Sequence, residues 1–136
     1  MSAGTVEVGS MLPETVIAGI SRGEIGCYAE VSGDDNPVHS DDELAAKLGL
    51  EGVPVQGMFV MALVSNYLEQ WEHHNSVRKL HIRFVSPAFA ETDFTINARV
   101  MAVRAAEDTA VLRIFLKQRD ALVAMGEAHI AVGVEP

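Results

Sequence analysis

Hydrophobic and polar residues recur with two different periods along this chain, helical in the first half and strand-like in the second. Residues 12–20, which are partly β-branched, predict an opening strand. Residues 21–24 (Ser-Arg-Gly-Glu) match a capping box and predict a helix that ends near Ser32. Residues 40–43 (Ser-Asp-Asp-Glu) repeat that pattern and predict a second helix, which stops at Gly49.

The longest apolar segment opens at Gly57 and continues to about Trp71. A helix that is apolar on almost all sides is typically a buried one. The period then changes to two, and the pattern predicts strands over 77–85, 94–103, 109–118 and 122–132. Helices followed by antiparallel strands predict an α+β protein, with the apolar helix laid on one face of the sheet. The length of 136 residues fits a single domain that spans residues 1–136.

The formal net charge of −9 argues against a nucleic-acid partner. Residues 1–76 hold two basic and twelve acidic side chains, whereas residues 77–136 hold eight basic and seven acidic ones. We therefore expect a positive face in the second half, suited to an anionic ligand or an acidic protein, although an ordinary solvated sheet surface fits the composition equally well. With one cysteine, no visible secretory signal and no apolar stretch long enough to cross a membrane, we expect a cytoplasmic protein.

Residues 32–39 (Ser-Gly-Asp-Asp-Asn-Pro-Val-His) are the most informative segment of the chain. Pro37 fixes its own φ and pushes Asn36 out of the α region, so the chain must turn sharply here. The turn can bring the carboxylate of Asp34 and the imidazole of His39 to one place. Around one water molecule, these two groups form an acid/base pair able to work near neutral pH. The alternative is a polar turn between helices, with both side chains merely solvated.

This segment resembles the signature of the MaoC-like (R)-specific enoyl-thioester hydratases and dehydratases, and the similarity extends over nearly the whole chain. The resemblance implies a hot-dog fold, in which a curved antiparallel sheet wraps around a long central helix. It also implies a homodimer that joins sheet edge to sheet edge, with the substrate passing between subunits. Under it the protein is a hydro-lyase whose catalytic residues are Asp34 and His39. Together they bind the water that adds to a trans-2-enoyl thioester, or that leaves an (R)-3-hydroxyacyl thioester.

Hydration also needs a donor for the negative charge that develops on the thioester oxygen. A helix N-terminus offers free N–H groups at the positive end of its dipole, and glycine lets a ligand approach them closely. The resemblance implies that the N–H of Gly57 binds this oxygen; the alternative is that Gly57 only eases packing at a helix start. Gln56 and Asn36 are further candidates for substrate binding, although Asn36 is expected chiefly to hydrogen-bond the main chain of its turn.

Two positions depart from the family pattern. Gln56 stands where the family commonly has histidine, and Ala62 takes the place of a serine near the water site. Both departures put the usual substrate in doubt more than the chemistry, and they fit a specialised dehydratase of fatty-acid or polyketide intermediates bound to acyl carrier protein. Arg99, Arg113 and Lys117 share the polar face of their strands and are candidate phosphate contacts.

No cofactor is expected, since the acyl group is carried on coenzyme A or on the phosphopantetheine of an acyl carrier protein. His81 and His129 lack cysteine or carboxylate partners at ligand spacing, so we expect no metal site. Two other functions stay open. A hot-dog thioesterase fits less well, because the Asp-x-Asn-Pro-x-His run belongs to the hydratase branch. An inactive acyl-thioester-binding subunit is favoured by the two departures and opposed by the intact acid/base pair.

Overall fold

The computed structural model describes residues 6–132, apart from the side chain of Asn75. In chain order the elements are β1 (Thr15–Ile17), α1 (Arg22–Ser32), α2 (Asp42–Lys47), α3 (Gly57–Glu69), β2 (His74–Phe84), β3 (Phe94–Arg104), β4 (Thr109–Gln118) and β5 (Ala121–Val132). Short 3-10 turns occupy Pro37–His39 and Ala105–Glu107. Within these residues the strands form one antiparallel sheet in the order β1-β3-β4-β5-β2, so the α+β prediction is confirmed.

The core lies between one face of the sheet and the buried side of α3. The period-two alternation of β3 and β4 places their apolar residues on this face, where they are at most 1% exposed: Phe94, Ile96, Ala98, Val100, Leu112, Ile114 and Leu116. Helix α3 contributes Val60, Val64, Tyr67 and Leu68. A slip of one residue in the strand register would turn the whole apolar row to solvent, so burial fixes the register. Consequently, most polar residues of these strands lie on the outer face, while Thr109 and Gln118, at the two ends of β4, are buried.

Helix α1 begins and ends where the sequence predicts. The Ser21 hydroxyl accepts the N–H of Glu24 at 3.0 Å, and the Glu24 carboxylate accepts the N–H of Ser21 at 3.1 Å. At the other end Gly33 adopts φ 77°, a left-handed conformation that glycine tolerates without strain. The helix therefore stops directly before Asp34.

The second predicted capping box is wrong. The N-cap of α2 is Asp41, whose carboxylate accepts the N–H groups of Glu43 and Leu44 at 3.0 and 3.1 Å. The Ser40 hydroxyl turns back toward the carbonyl of Pro37 instead. An aspartate cap also places a full negative charge at the positive end of the helix dipole, which a serine cannot do.

Three predicted elements differ from the structure. Strand β2 begins at His74, three residues before the predicted start at 77. The opening strand covers only Thr15–Ile17, because Pro13 has no N–H to give to a sheet ladder. Helix α3 is not buried on all sides, since Met58 is 65% exposed and one chain offers a single sheet face to pack against. Among residues 6–132, no helix is both long and apolar enough to span a lipid bilayer.

Candidate active site

The motif segment between α1 and α2 forms a tight turn that Asn36 closes. The Oδ1 atom of Asn36 accepts the N–H of Val38 at 3.1 Å, and Pro37 occupies the first position of the 3-10 turn. Proline fits this position because its ring fixes a suitable φ and no acceptor is needed there. The carbonyl of Asn36 also accepts the N–H of His39 at 3.2 Å. The structure thus commits Asn36 to the main chain of the turn.

Asp34 and His39 face each other across this turn. The Nε2 atom of His39 lies 3.8 Å from Oδ2 of Asp34, and its Nδ1 atom lies 2.8 Å from the carbonyl oxygen of Pro54. A carbonyl can only accept, so Nδ1 carries the proton that it donates there. In the neutral ring, Nε2 is therefore the free acceptor, and it points toward Asp34.

The separation of 3.8 Å between Nε2 and Oδ2 is too long for a direct hydrogen bond. Two acceptors at this spacing suit a small donor shared between them, such as a water molecule with two O–H groups. The His39 side chain is 15% exposed, whereas that of Asp34 is 44% exposed. His39 therefore lies against the protein, and Asp34 is open to solvent. This arrangement can take a proton from water and return one to a substrate.

The contact with Pro54 is a part of the site that the sequence analysis missed. Main-chain carbonyls carry no residue signature, and the available signal was the Gly-Val-Pro-Val run just before the apolar helix. Pro54 is buried and makes an isolated bridge to Phe89, which fixes its carbonyl in place. The orientation of the His39 ring therefore depends on a segment fifteen residues further along the chain.

The N-terminus of α3 lies open, unlike those of α1 and α2. Its N-cap, Gln56, makes no side-chain capping bond, and the first turn contains no acidic residue. The first N–H groups of a helix have no acceptor within the helix and lie at the positive end of its dipole. The N–H of Gly57 is among them, so this helix start can receive an oxygen that gains negative charge.

Gln56 itself is 1% exposed and turns toward α1. Its Nε2 atom donates to the carbonyl of Ile25 at 3.0 Å. Ala62, the other departure from the family pattern, is exposed on α3. The side chain of Gln56 thus points from the start of α3 toward α1 and is shielded from solvent.

A cavity of about 380 Å³ adjoins Gly57 and is lined mainly by apolar side chains. Its walls include Val55, Val60, Phe84 and Val85. The volume lies within the range of small-molecule sites. A larger cavity of about 820 Å³ lies beyond Ser86 and Pro87 and includes none of the site residues described above. We regard the smaller one as the relevant cavity because it touches the free helix start.

Arg99, Arg113 and Lys117 are exposed on the outer face, opposite the face that α3 covers, so the structure does not bring them to the acid/base pair. Arg99 and Arg113 are direct cross-strand partners, an arrangement that repels. We call the positive surface that they form with Lys79 and Arg83 the basic face. It holds half of the ten lysines and arginines of the chain. Glu127 lies on the same face as the direct cross-strand partner of Arg113, but none of the five basic side chains comes within ion-pair distance of a carboxylate of the described residues. Over residues 6–132, no three metal-ligating side chains cluster together.

Comparison with known proteins assigns the chain to a family. The model of the MaoC-like domain family matches residues 9–114. The chain belongs to the MaoC-like family. It is 33% identical over 134 residues to the (R)-specific enoyl-CoA hydratase of Aeromonas caviae, covering 96% of this chain and 98% of that protein. It is 28% identical over 127 residues to a mitochondrial 3-hydroxyacyl-[acyl-carrier-protein] dehydratase of Arabidopsis thaliana, covering 90% of this chain and 75% of the relative.

A solved MaoC-like dehydratase superposes with a TM-score of 0.87 at 25% identity over 94% of this chain. The chain spans 41% of the length of that larger protein. The predicted hot-dog fold is therefore confirmed, and the MaoC-like chain belongs to a family of hydro-lyases, the hydratases and dehydratases.

Proposed function

We propose that this protein is a cytoplasmic enzyme that hydrates trans-2-enoyl thioesters and dehydrates (R)-3-hydroxyacyl thioesters. The observation that carries the proposal is the Asp34–His39 pair, whose Nε2 and Oδ2 atoms lie 3.8 Å apart while Pro54 fixes the ring. Membership of the MaoC-like family and the activities named for its relatives support the same chemistry.

In the proposed hydration, the pair holds one water molecule and removes one of its protons as the oxygen attacks C3. The C2–C3 double bond shifts its electrons toward the thioester, whose oxygen gains negative charge and accepts the N–H of Gly57. Collapse of this enolate takes a proton at C2 from the pair. Since water and proton are delivered from one side, both add to the same face of the substrate. Dehydration reverses every step.

The apolar cavity beside Gly57 is the proposed site for the acyl chain. Because Phe84 and Val60 line it, its walls suit an alkyl group and exclude water from the developing enolate. The thioester carrier then lies toward the open side, where Asp34 is exposed.

We further propose that the carrier is the phosphopantetheine of coenzyme A or of an acyl carrier protein. The basic face supports the second source, because an acidic carrier would meet complementary charge on a protein whose net charge is −9. The Arabidopsis relative is named for a carrier-bound substrate. Under this proposal Arg99, Arg113 and Lys117 attract an acidic carrier through the field of the basic face, and they contact neither the carrier's entry side beside Asp34 nor the reacting atoms.

We propose that the enzyme is a homodimer, joined through the free edge of β2. This strand lies at one end of the sheet order, and a long unpaired edge is a template for pairing. Met58, Phe84 and Val85 add an exposed apolar patch beside it, 65%, 44% and 53% exposed. A second copy would cover the patch and enclose the cavity near Gly57.

Crotonyl-coenzyme A tests the function directly. Hydration removes the ultraviolet absorbance of the conjugated enoyl thioester, and we expect Asp34→Asn and His39→Asn to slow this by about 10²- to 10⁴-fold. Asparagine has the same size as Asp34, and at position 39 it keeps a donor for the carbonyl of Pro54 in place of Nδ1. Unchanged thermal unfolding would show that both variants fold.

The same assay separates the alternatives. Release of free thiol without hydration would indicate a thioesterase. Binding without turnover, on coenzyme A and carrier-bound substrates alike, would indicate an inactive subunit. Turnover of carrier-bound crotonate alone would identify the specialised dehydratase. Full activity in both variants would end the proposed mechanism.

A further inference from the structure

Two glutamine side chains are buried in the described part of the chain, and the fold uses them differently. Gln118 employs its whole amide: Oε1 accepts the N–H of Phe89 at 2.8 Å, and Nε2 donates to the carbonyls of Phe89 and Thr92 at 2.9 and 3.0 Å. It joins the loop before β3 to the end of β4. Such a fully satisfied buried amide has a structural role that its hydrogen bonds explain.

Gln56 employs only half of its amide. The NH₂ end must face α1, because the carbonyl of Ile25 can only accept, and this fixes the orientation of the group. Its Oε1 atom is buried, and no donor of residues 6–132 reaches it. A buried acceptor without a donor destabilises the folded state, whereas methionine would fill nearly the same volume without that cost. The carbonyl of Ile25 would keep its ordinary helical partner in α1.

The position of Gln56 explains why the fold keeps a buried acceptor that destabilises it. Two residues before it, the carbonyl of Pro54 orients His39, and the next residue, Gly57, carries the free N–H. The helix that its amide contacts ends directly before Asp34. Gln56 therefore provides a hydrogen bond between α1 and the start of α3, the helices that present the separate parts of the site, in addition to the stacking of Tyr28 on Phe59.

The length of this side chain matters as well. Serine, aspartate or asparagine at an N-cap folds back onto the N–H groups of its own helix, as Ser21 and Asp41 do in α1 and α2. At Gln56 the amide instead reaches across to α1, and no side-chain cap occupies the start of α3. The residue thus ties the helices together while leaving the N–H of Gly57 available.

We propose that Gln56 is a positioning residue that sets the spacing between the Asp34–His39 pair and the N–H of Gly57. The inference rests on the proposed function, in which both parts act on one thioester. Small errors in such spacing lower the reaction rate strongly, since a displacement of about 1 Å can slow a reaction by about 10²-fold.

The test compares Gln56→Met with Gln118→Met as a matched pair of buried substitutions. We measure thermal unfolding, and then kcat and KM on the best thioester of the wild type. For Gln56→Met we expect a melting temperature equal to or above that of the wild type, kcat lowered by at least about tenfold, and a nearly unchanged KM. For Gln118→Met we expect a clearly lower melting temperature, because three main-chain groups lose their partners. Its kcat per folded molecule should fall less than that of Gln56→Met, because Phe89 reaches His39 only through its bridge to Pro54.

A rescue variant completes the test. Gln56→His keeps a ring N–H that can donate to Ile25 and should recover most of kcat, whereas Gln56→Leu should not. If Gln56→Met kept its kcat while the wild type is active, the inference alone would be overturned. If Gln56→Met lost stability as Gln118→Met does and kept kcat per folded molecule, the role would be structural and the inference wrong. A folded wild type that turns over no thioester would overturn the proposed function, and this inference with it.

Discussion

Arg22 and Asp42 join the first turns of the two helices that flank the motif segment. One guanidinium nitrogen of Arg22, Nη1, lies 2.9 and 3.0 Å from the carboxylate oxygens of Asp42, and Nη2 donates to the carbonyl of Ser40 at 3.3 Å. Ser40 directly follows His39 in the chain. The pair is 41% and 71% exposed, so its ionic attraction contributes little to stability. Its bonds instead join the two ends of the segment that carries both side chains of the proposed acid/base pair.

Arg22→Met should therefore affect rate more than stability. We expect the free energy of unfolding to fall by less than about 1 kcal/mol, while kcat of the proposed hydration falls by about tenfold because His39 is held less firmly. Urea unfolding and steady-state kinetics measure the two effects. Arg78→Met is the control, since Arg78 also bonds a main-chain carbonyl, that of Glu107, but away from the motif segment. Equal losses of kcat in both variants would contradict the role of Arg22.

Gly57→Ala tests the free helix start. A methyl group at Gly57 would lie 3.4 Å from Cε2 of Phe84, a ring tip that can move, and the backbone there has no positive φ. The fold should accept the change, and stability should stay or rise, because alanine favours a helix by up to about 1 kcal/mol over glycine. The methyl group nevertheless narrows the approach of a thioester oxygen, so kcat/KM should fall by at least about tenfold.

Gly26→Ala provides the control for that substitution. Gly26 lies within α1, and a methyl group there would meet nothing within 4 Å. The same gain in helix propensity is therefore expected, by up to about 1 kcal/mol, with kcat/KM unchanged. A Gly57→Ala enzyme with wild-type kcat/KM would show that the thioester oxygen does not approach this N–H.

The predictable parts of this protein are those with a local physical cause. The alternation of β3 and β4 predicted their inner and outer faces because one face had to be buried. The capping box at Ser21 predicted the start of α1, since both side chains lie within one turn. At Ser40 the same pattern failed because the neighbouring Asp41 is also a strong cap, and sequence alone does not rank two adjacent caps.

The site was predictable only in part, for a related reason. Asp34 and His39 lie within six residues, and proline restricts the turn between them enough to bring them together. The acceptor that orients His39 is a main-chain carbonyl of Pro54, which any residue type could provide. The half-used amide of Gln56 depends on a contact with α1, and such a long-range contact has no local pattern. The exposure of Met58 likewise depends on which side of α3 faces the sheet, and an apolar run without clear periodicity does not show this.

The proposed homodimer predicts that a charged substitution in the patch beside β2 dissociates the dimer, whereas one at another exposed apolar residue does not. We expect sedimentation of the wild type as a dimer at micromolar concentration, and of Met58→Glu or Val85→Lys as a monomer, because both substitutions put charge into the patch beside β2. Val31→Lys is the control, since Val31 is 89% exposed on α1 and is not one of the residues of the patch. A monomeric wild type, or three variants that all remain dimeric, would remove the proposed interface.

Tyr67 predicts the response of the fold to alkaline pH. Its hydroxyl donates to the carbonyl of Pro13 at 2.8 Å. Burial, with the nearby Glu14 carboxylate, raises the pKa of Tyr67 from 10.0 to about 12. The unfolded chain then loses this proton at lower pH than the folded one. The stability that Tyr67 contributes is therefore complete below pH 10 and is lost as the pH rises toward 12.

Tyr67→Phe should accordingly have two effects in urea unfolding at a series of pH values. Near neutral pH it should lower the free energy of unfolding by about 1 kcal/mol, because the carbonyl of Pro13 loses its shorter hydrogen bond and keeps only that from the Thr15 hydroxyl at 3.3 Å. Above pH 10 the decline in stability should be shallower than in the wild type, since the group that ionises on unfolding is gone. Tyr28→Phe serves as the control, because Tyr28 stacks on Phe59 with ring centroids 4.9 Å apart and makes no such bond through its hydroxyl among the described residues. Parallel pH profiles for the wild type and Tyr67→Phe would show that the phenol does not control alkaline unfolding.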